Sequence, residues 1–99
     1  MKTQDKYTRS AKGQMCQVRV PGVCVPDPAT TVLAHLNGAG MGMKNYSIHG
    51  AYACHECHAW LDHGWARYRL GTRSVRDLVH LQAVVRTQEI MIKDGFLIL

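Results

Sequence analysis

Cys54-His55-Glu56-Cys57-His58-Ala59-Trp60-Leu61-Asp62 decides how this chain is read. A CxxC pair at the start of a helix offers two thiolates to a zinc ion, and the same helix then presents His58 and Asp62. Four residues apart, they share one helix face. A second pair, Cys16 and Cys24, lies upstream, with Pro21-Gly22 between them as a turn signal that brings the two sulfurs together. Zinc takes four thiolates tetrahedrally, and a closed shell of that kind folds a chain without doing chemistry. The expectation is a structural zinc held by Cys16, Cys24, Cys54 and Cys57. A redox CxxC is the poorer reading, because no βαβ pattern surrounds it.

Ninety-nine residues make one domain with little core to spare, so a metal staple is apt. Hydrophobic residues are 46% of the chain, which argues against disorder. Twelve Lys and Arg against seven Asp and Glu give a formal charge of +5, which favours a polyanionic partner, nucleic acid first. No stretch is long and apolar enough for a membrane span. Met1 to Lys12 is polar and basic, with no apolar core, so a secretory signal is not expected and a cytoplasmic location is. In a reducing compartment four cysteines read as metal ligands before disulfides.

Residues 1–13 read as a loosely ordered basic arm containing Lys2, Lys6, Arg9 and Lys12. Residues 14–68 carry the knuckle and the candidate site. Cys16 to Val20 is expected as a short strand, Thr30 to Leu36 as a β-branched strand ending near His35, and His49 to Ala53 as a second strand. A glycine-rich loop, residues 37–44, lies between the last two; it has no GxGxxG or Walker spacing, so it is not a nucleotide cradle. A helix should run from the CxxC to about Tyr68, weakened by Gly64. Residues 72–99 are expected to hold a last helix capped by Ser74, with Leu78, Leu81, Val85 and Ile92 at helical spacing, Gly95 at its end, and a terminal strand from Phe96.

The chemistry-bearing residues then assemble. Zinc fastens the helix to the upstream turn and so sets His58 and Asp62 opposite the strand that carries His35. A divalent metal on His58 and Asp62 suits a scissile phosphate, and neutral His35 suits general-base work on water. Lys44, Arg67, Arg69, Arg73 and Arg76 flank this site as candidate phosphate contacts. Trp60 and Trp65 fit core packing better than base stacking, and His55, His63 and His80 fit spacer, surface or structural places.

From Cys16 to Asp62 the chain resembles the ββα-metal, or HNH, nuclease superfamily. Over nearly its whole length it is similar to the YbcO-type family of phage and prophage nucleases. The similar stretches are Cys16-Gln17-Val18-Arg19-Val20-Pro21-Gly22-Val23-Cys24, Val32-Leu33-Ala34-His35, Ala53-Cys54-His55-Glu56-Cys57-His58, and later Arg86-Thr87-Gln88 with Lys93-Asp94-Gly95.

The resemblance implies a small α+β, ββα-metal fold with a four-cysteine zinc knuckle and an added C-terminal helix. It also implies a metal-dependent DNA endonuclease in phage or prophage DNA processing or recombination, inside a host bacterial cell. By the same resemblance His35 takes the general-base position, His58 and Asp62 the catalytic-metal positions (magnesium, manganese or zinc), and His49 the place of a middle residue that orients the base. DNA is the implied partner, branched or single-stranded forms included. A single active site cuts one strand, so double-strand cutting would call for a homodimer; a recombination partner protein is a further candidate partner.

One departure is plain: Ala34 stands where many such enzymes carry a metal ligand, and Asp27, Asn37 and Asn45 are unranked substitutes. The alternative is a zinc-stabilised, non-catalytic nucleic-acid-binding or adaptor module.

Overall fold

Val32–His35 and Gly50–Ala53 form an antiparallel pair, β1 and β2, with Val32 opposite Ala53 and His35 opposite Gly50. A computed structural model of the chain describes residues 5–36, 46–69 and 71–98. The glycine-rich loop, Lys44, Asn37 and Asn45 lie outside those residues. Helix α1, Lys6–Ser10, precedes the ribbon; α2, His55–Asp62, and α3, Arg73–Lys93, follow it. No helix among the described residues is long and apolar enough to cross a membrane.

Strand alternation gives the ribbon two buried faces. Ala34, Ala51 and Ala53 join the cluster of Cys54, Cys57, Trp60, Leu61, Ala83 and Val84. Leu33 and Tyr52 pack with Ala11 and Met91 on the other side. Small residues on β2 let α3 lie close. Thr87 accepts a buried hydrogen bond from the Tyr52 backbone N–H at 3.0 Å, and the Tyr52 hydroxyl meets Ser10 of α1 at 2.7 Å.

Several local expectations are corrected. The arm expected to be loose contains α1, because the Asp5 side chain accepts from the Thr8 N–H and caps the turn. Cys16 to Val20 is not a strand: Arg19 sits at φ 55°, in the left-handed region, which breaks extended geometry. The helix after the CxxC ends at Asp62. A 3-10 turn, Gly64–Arg67, follows, and the Tyr68 hydroxyl donates to the Pro21 carbonyl at 2.7 Å, tying that turn to the knuckle. The cap of α3 is Thr72, whose hydroxyl accepts from Val75, rather than Ser74. No strand forms over residues 96–98; Gly95 at φ 82° turns the chain so that Phe96 and Leu97 donate to the Met91 carbonyl.

The largest correction concerns α3. Leu78, Leu81 and Val85 are more than half exposed. The buried face is instead Arg76, His80, Ala83, Val84, Thr87 and Met91. Polar side chains lie inward because each has a partner there. Arg76 donates to the Leu61 carbonyl at 3.1 Å, pairs with Asp77 and stands 5.4 Å from the Trp65 ring centre. It is therefore a strut between helices and not a surface phosphate contact. His80 Nε2 donates to the Ala34 carbonyl at 2.8 Å, which fixes β1 to α3.

Burial, reinforced by Arg76, lowers the His80 pKa against the opposing pull of the Ala34 carbonyl, Asp62 and Asp77. The sign follows from linkage. His80 is neutral in the fold and binds protons more readily once unfolded. Its stability contribution is therefore present above the ordinary value of 6.5 and lost as pH falls towards the lower folded value. His80→Gln keeps a donor and removes the titration. Urea midpoints measured from about pH 7.5 down to about pH 5.5 should fall less steeply for the variant than for wild type, whose slope gains up to about 1.4 kcal/mol per pH unit from one such group.

Gly71 is a close approach. A Cβ there would lie 1.7 Å from the Trp65 carbonyl oxygen, which is backbone and cannot swing away. Gly71→Ala is expected to cost about 2–3 kcal/mol, displacing the turn that Tyr68 holds on the knuckle. Denaturant melts at unchanged metal content check this.

Candidate metal knuckle and catalytic cleft

The Pro21-Gly22 turn closes as expected. Val23 and Cys24 both donate to the Val20 carbonyl, and Gly22 takes φ 77°. The first half of the knuckle is pinned from outside. Gln17 donates to the Tyr52 carbonyl at 2.7 Å, and Arg86 of α3 donates two hydrogen bonds to the Gln17 carbonyl. The second half is the start of α2, where the Cys54 sulfur caps the helix by accepting from the Cys57 N–H at 3.4 Å.

The four sulfurs of Cys16, Cys24, Cys54 and Cys57 lie within 4.8 Å of one another, and Cys24 and Cys54 are 3.9 Å apart. Four sulfurs at about 2.3 Å from one zinc stand roughly 3.8 Å apart, so the cluster fits a metal ion such as zinc. A hydrogen bond from Cys57 pulls the Cys16 thiol well below its ordinary value, and that contact, with burial, pushes Cys57 up. Burial and then Cys16 raise Cys24. A bound dication lets all four ionise and releases protons, so its affinity rises with pH.

One turn beyond Cys54, His58 faces Asp62: Nε2 and Oδ2 are 3.6 Å apart and both side chains are part-exposed. Two ligands at about 2.1 Å from one cation are separated by roughly 3.0–3.4 Å, so the pair, at 3.6 Å, would have to close slightly to hold one cation between them. Ala34 offers no donor, being 2% exposed in the core, with its carbonyl committed to His80. Asp27 is exposed and caps a 3-10 turn by accepting from Ala29.

His35 ends β1, with Nε2 3.4 Å from the Ser47 hydroxyl oxygen. Ser47 in turn donates to the Asp5 carboxylate at 2.5 Å and lies 3.5 Å from the Thr8 hydroxyl. The Ser47 contact is the main cause that lowers the Asp5 pKa. With its hydroxyl proton donated to Asp5, Ser47 has lone pairs that could accept from a proton on His35 Nε2. Asp5 and Ser47 escaped sequence reasoning because they are 42 residues apart and follow no motif. The Asp5 cap was the one available signal.

A cleft of about 640 Å³ lies beside these parts, lined by Thr8, Arg9 and Lys12 of the N-terminal segment, by Thr31 and Leu33, and by His58, but not by His35 or Asp62. Thr8 is thus shared between the cleft and the Ser47–His35 contact. His49 is exposed and stands edge-on to Tyr46 at 5.9 Å, on the residue before β2. Arg67, Arg69 and Arg73 are exposed around the 3-10 turn and the start of α3.

These features define a small α+β protein in which four clustered cysteines that could hold a metal ion lie next to a part-exposed histidine–aspartate pair. The family model described as "Putative nuclease YbcO" matches residues 5–96, and the chain belongs to that family. It is 36% identical over 90 residues to "Putative nuclease YbcO" of Escherichia coli (strain K12), covering 88% of this chain and 91% of that protein. The same figures hold for "Putative nuclease ybcO" of Enterobacteria phage 82. It also superposes, at a TM-score of 0.72 and 34% identity, on the "Structure of a putative bacteriophage protein from Escherichia coli str. K-12 substr. MG1655", covering 89% of this chain and 98% of that one.

Proposed function

We propose that the chain is a metal-dependent, HNH-type DNA endonuclease. The observation that carries this reading is one helix bearing both halves of the site: its N-terminus closes the knuckle, and one turn later it presents His58 beside Asp62. The two relatives, each named "Putative nuclease" and one of them from a phage, support it.

Cys16, Cys24, Cys54 and Cys57 would hold a structural zinc that fixes the helix. His58 and Asp62 would hold a divalent cation, magnesium, manganese or zinc, which when bound supplies Lewis-acid stabilisation of the charge developing on phosphate. His35, oriented by Ser47, takes a proton from water. Arg67, Arg69 and Arg73 give salt-sensitive contacts to DNA phosphates. A role in phage DNA processing or recombination, inside a bacterial cell, belongs to this reading.

Ala34 favours one second reading, a zinc-stabilised binding module without catalysis. Nicking of supercoiled plasmid separates the two. Wild type should cut with magnesium or manganese and stop in EDTA. Failure to cut under every metal, on plain and branched DNA alike, overturns the nuclease.

A further inference from the structure

The cleft has a chemical character that neither the knuckle nor the His58–Asp62 pair requires. One wall presents Arg9 and Lys12, both exposed, from the N-terminal segment. Among the described residues, those lining it include two cations, two threonines and His58, and no carboxylate. The segment is also held rigidly enough to aim them. Asp5 caps α1, Ser10 bonds the buried Tyr52 hydroxyl, Ala11 is 1% exposed, and Gly13 donates to the Pro28 carbonyl.

We propose that this cleft is a phosphate-backbone groove, in which Arg9 and Lys12 hold a nucleic-acid strand against the wall that carries His58. The inference rests on the nuclease reading for its choice of polyanion. Its geometry stands apart from Arg67 and Arg69, which lie beyond the far end of α2. Cations 4–6 Å from phosphates release counterions and fix the strand's register without reading bases, so the groove is expected to be indifferent to sequence. The apolar floor at Leu33 suits the sugar face of such a strand. Basic residues expected on a solvated arm become part of the site because Ser10 at the end of α1 bonds Tyr52 of β2 and Ala11 after it packs with Leu33 of β1 and Tyr52.

The test is fluorescence anisotropy of short fluorescein-labelled single-stranded and duplex DNA across a salt series, using the full zinc-loaded chain without added magnesium. Arg9→Ala/Lys12→Ala should weaken binding by about 10- to 100-fold and reduce the slope of log K against log salt by roughly 1.4–1.8. Zinc content and melting temperature should not change, and Arg9→Lys/Lys12→Arg should restore binding. Unchanged affinity and slope in the alanine double variant overturn the groove, as does failure of wild type to bind either DNA. The two readings fail separately. Metal-dependent cutting with unchanged binding in the double variant keeps the nuclease and removes the groove. Binding lost in the double variant of a protein that never cuts keeps the groove and removes the nuclease.

Discussion

Cys57→Ser is expected to remove the metal and the fold together. Cys57 is fully buried, and its backbone N–H holds the Cys54 sulfur that caps α2. Serine is no thiolate at neutral pH, so the substitution takes one of four ligands from a closed shell and leaves the other sulfurs buried around an incomplete site. Structural zinc sites bind with roughly 10–16 kcal/mol of apparent free energy at neutral pH, as large as the whole stability of an ordinary domain at about 5–15 kcal/mol.

This chain has little else to spend. Its sheet is two four-residue strands, and the knuckle is where Gln17, Arg86, Tyr68 and α2 meet. The expected result is one zinc per chain in wild type and none in the variant. The variant's circular dichroism should lack a cooperative thermal transition, and wild type treated with a strong chelator should behave alike. A variant that melts cooperatively with no zinc would show that hydrophobic packing suffices and that the cluster is four free thiols.

The parts of this architecture that the sequence made legible are those set by local chemistry. The CxxC entering a helix, the Pro21-Gly22 turn and the β-branched run ending at His35 each dictate their own geometry, and the structure has all three. Asp62 and His58 meet because helix periodicity places i and i+4 together. What stayed hidden depends on partners distant in sequence. The stripe of Leu78, Leu81 and Val85 has helical spacing, yet α3 turns it outward, because Arg76, His80 and Thr87 find the Leu61 carbonyl, the Ala34 carbonyl and the Tyr52 N–H on the inner side. A buried hydrogen-bonded residue outweighed hydrophobic periodicity three times on one helix. The support for His35 is hidden for the same reason, since Asp5 precedes β1 and Ser47 lies in the connection between β1 and β2, 42 residues further on. Gly64, a weak point for a continuous helix, instead opens the 3-10 turn after α2 has ended at Asp62.

His35→Ala is expected to lower metal-dependent cleavage by about 10²–10⁴-fold, the range a positioned general base contributes. The imidazole is half-buried at the end of β1 and makes its contact to Ser47 at the protein's edge, so its loss should leave zinc content and melting temperature near wild type. That separates it from Cys57→Ser, where activity disappears with the fold. It also separates from His58→Ala, where more divalent metal should be needed for any cutting.

The Asp5–Ser47 pair sharpens the test. If Ser47 orients the His35 ring, Ser47→Ala should slow the reaction by a smaller factor than His35→Ala does. Ser47→Thr, which keeps the hydroxyl, should recover most of the rate. Should His35→Ala cut at the wild-type rate, the base lies elsewhere, and the Asp5–Ser47–His35 contacts would serve only to fasten α1 to the ribbon.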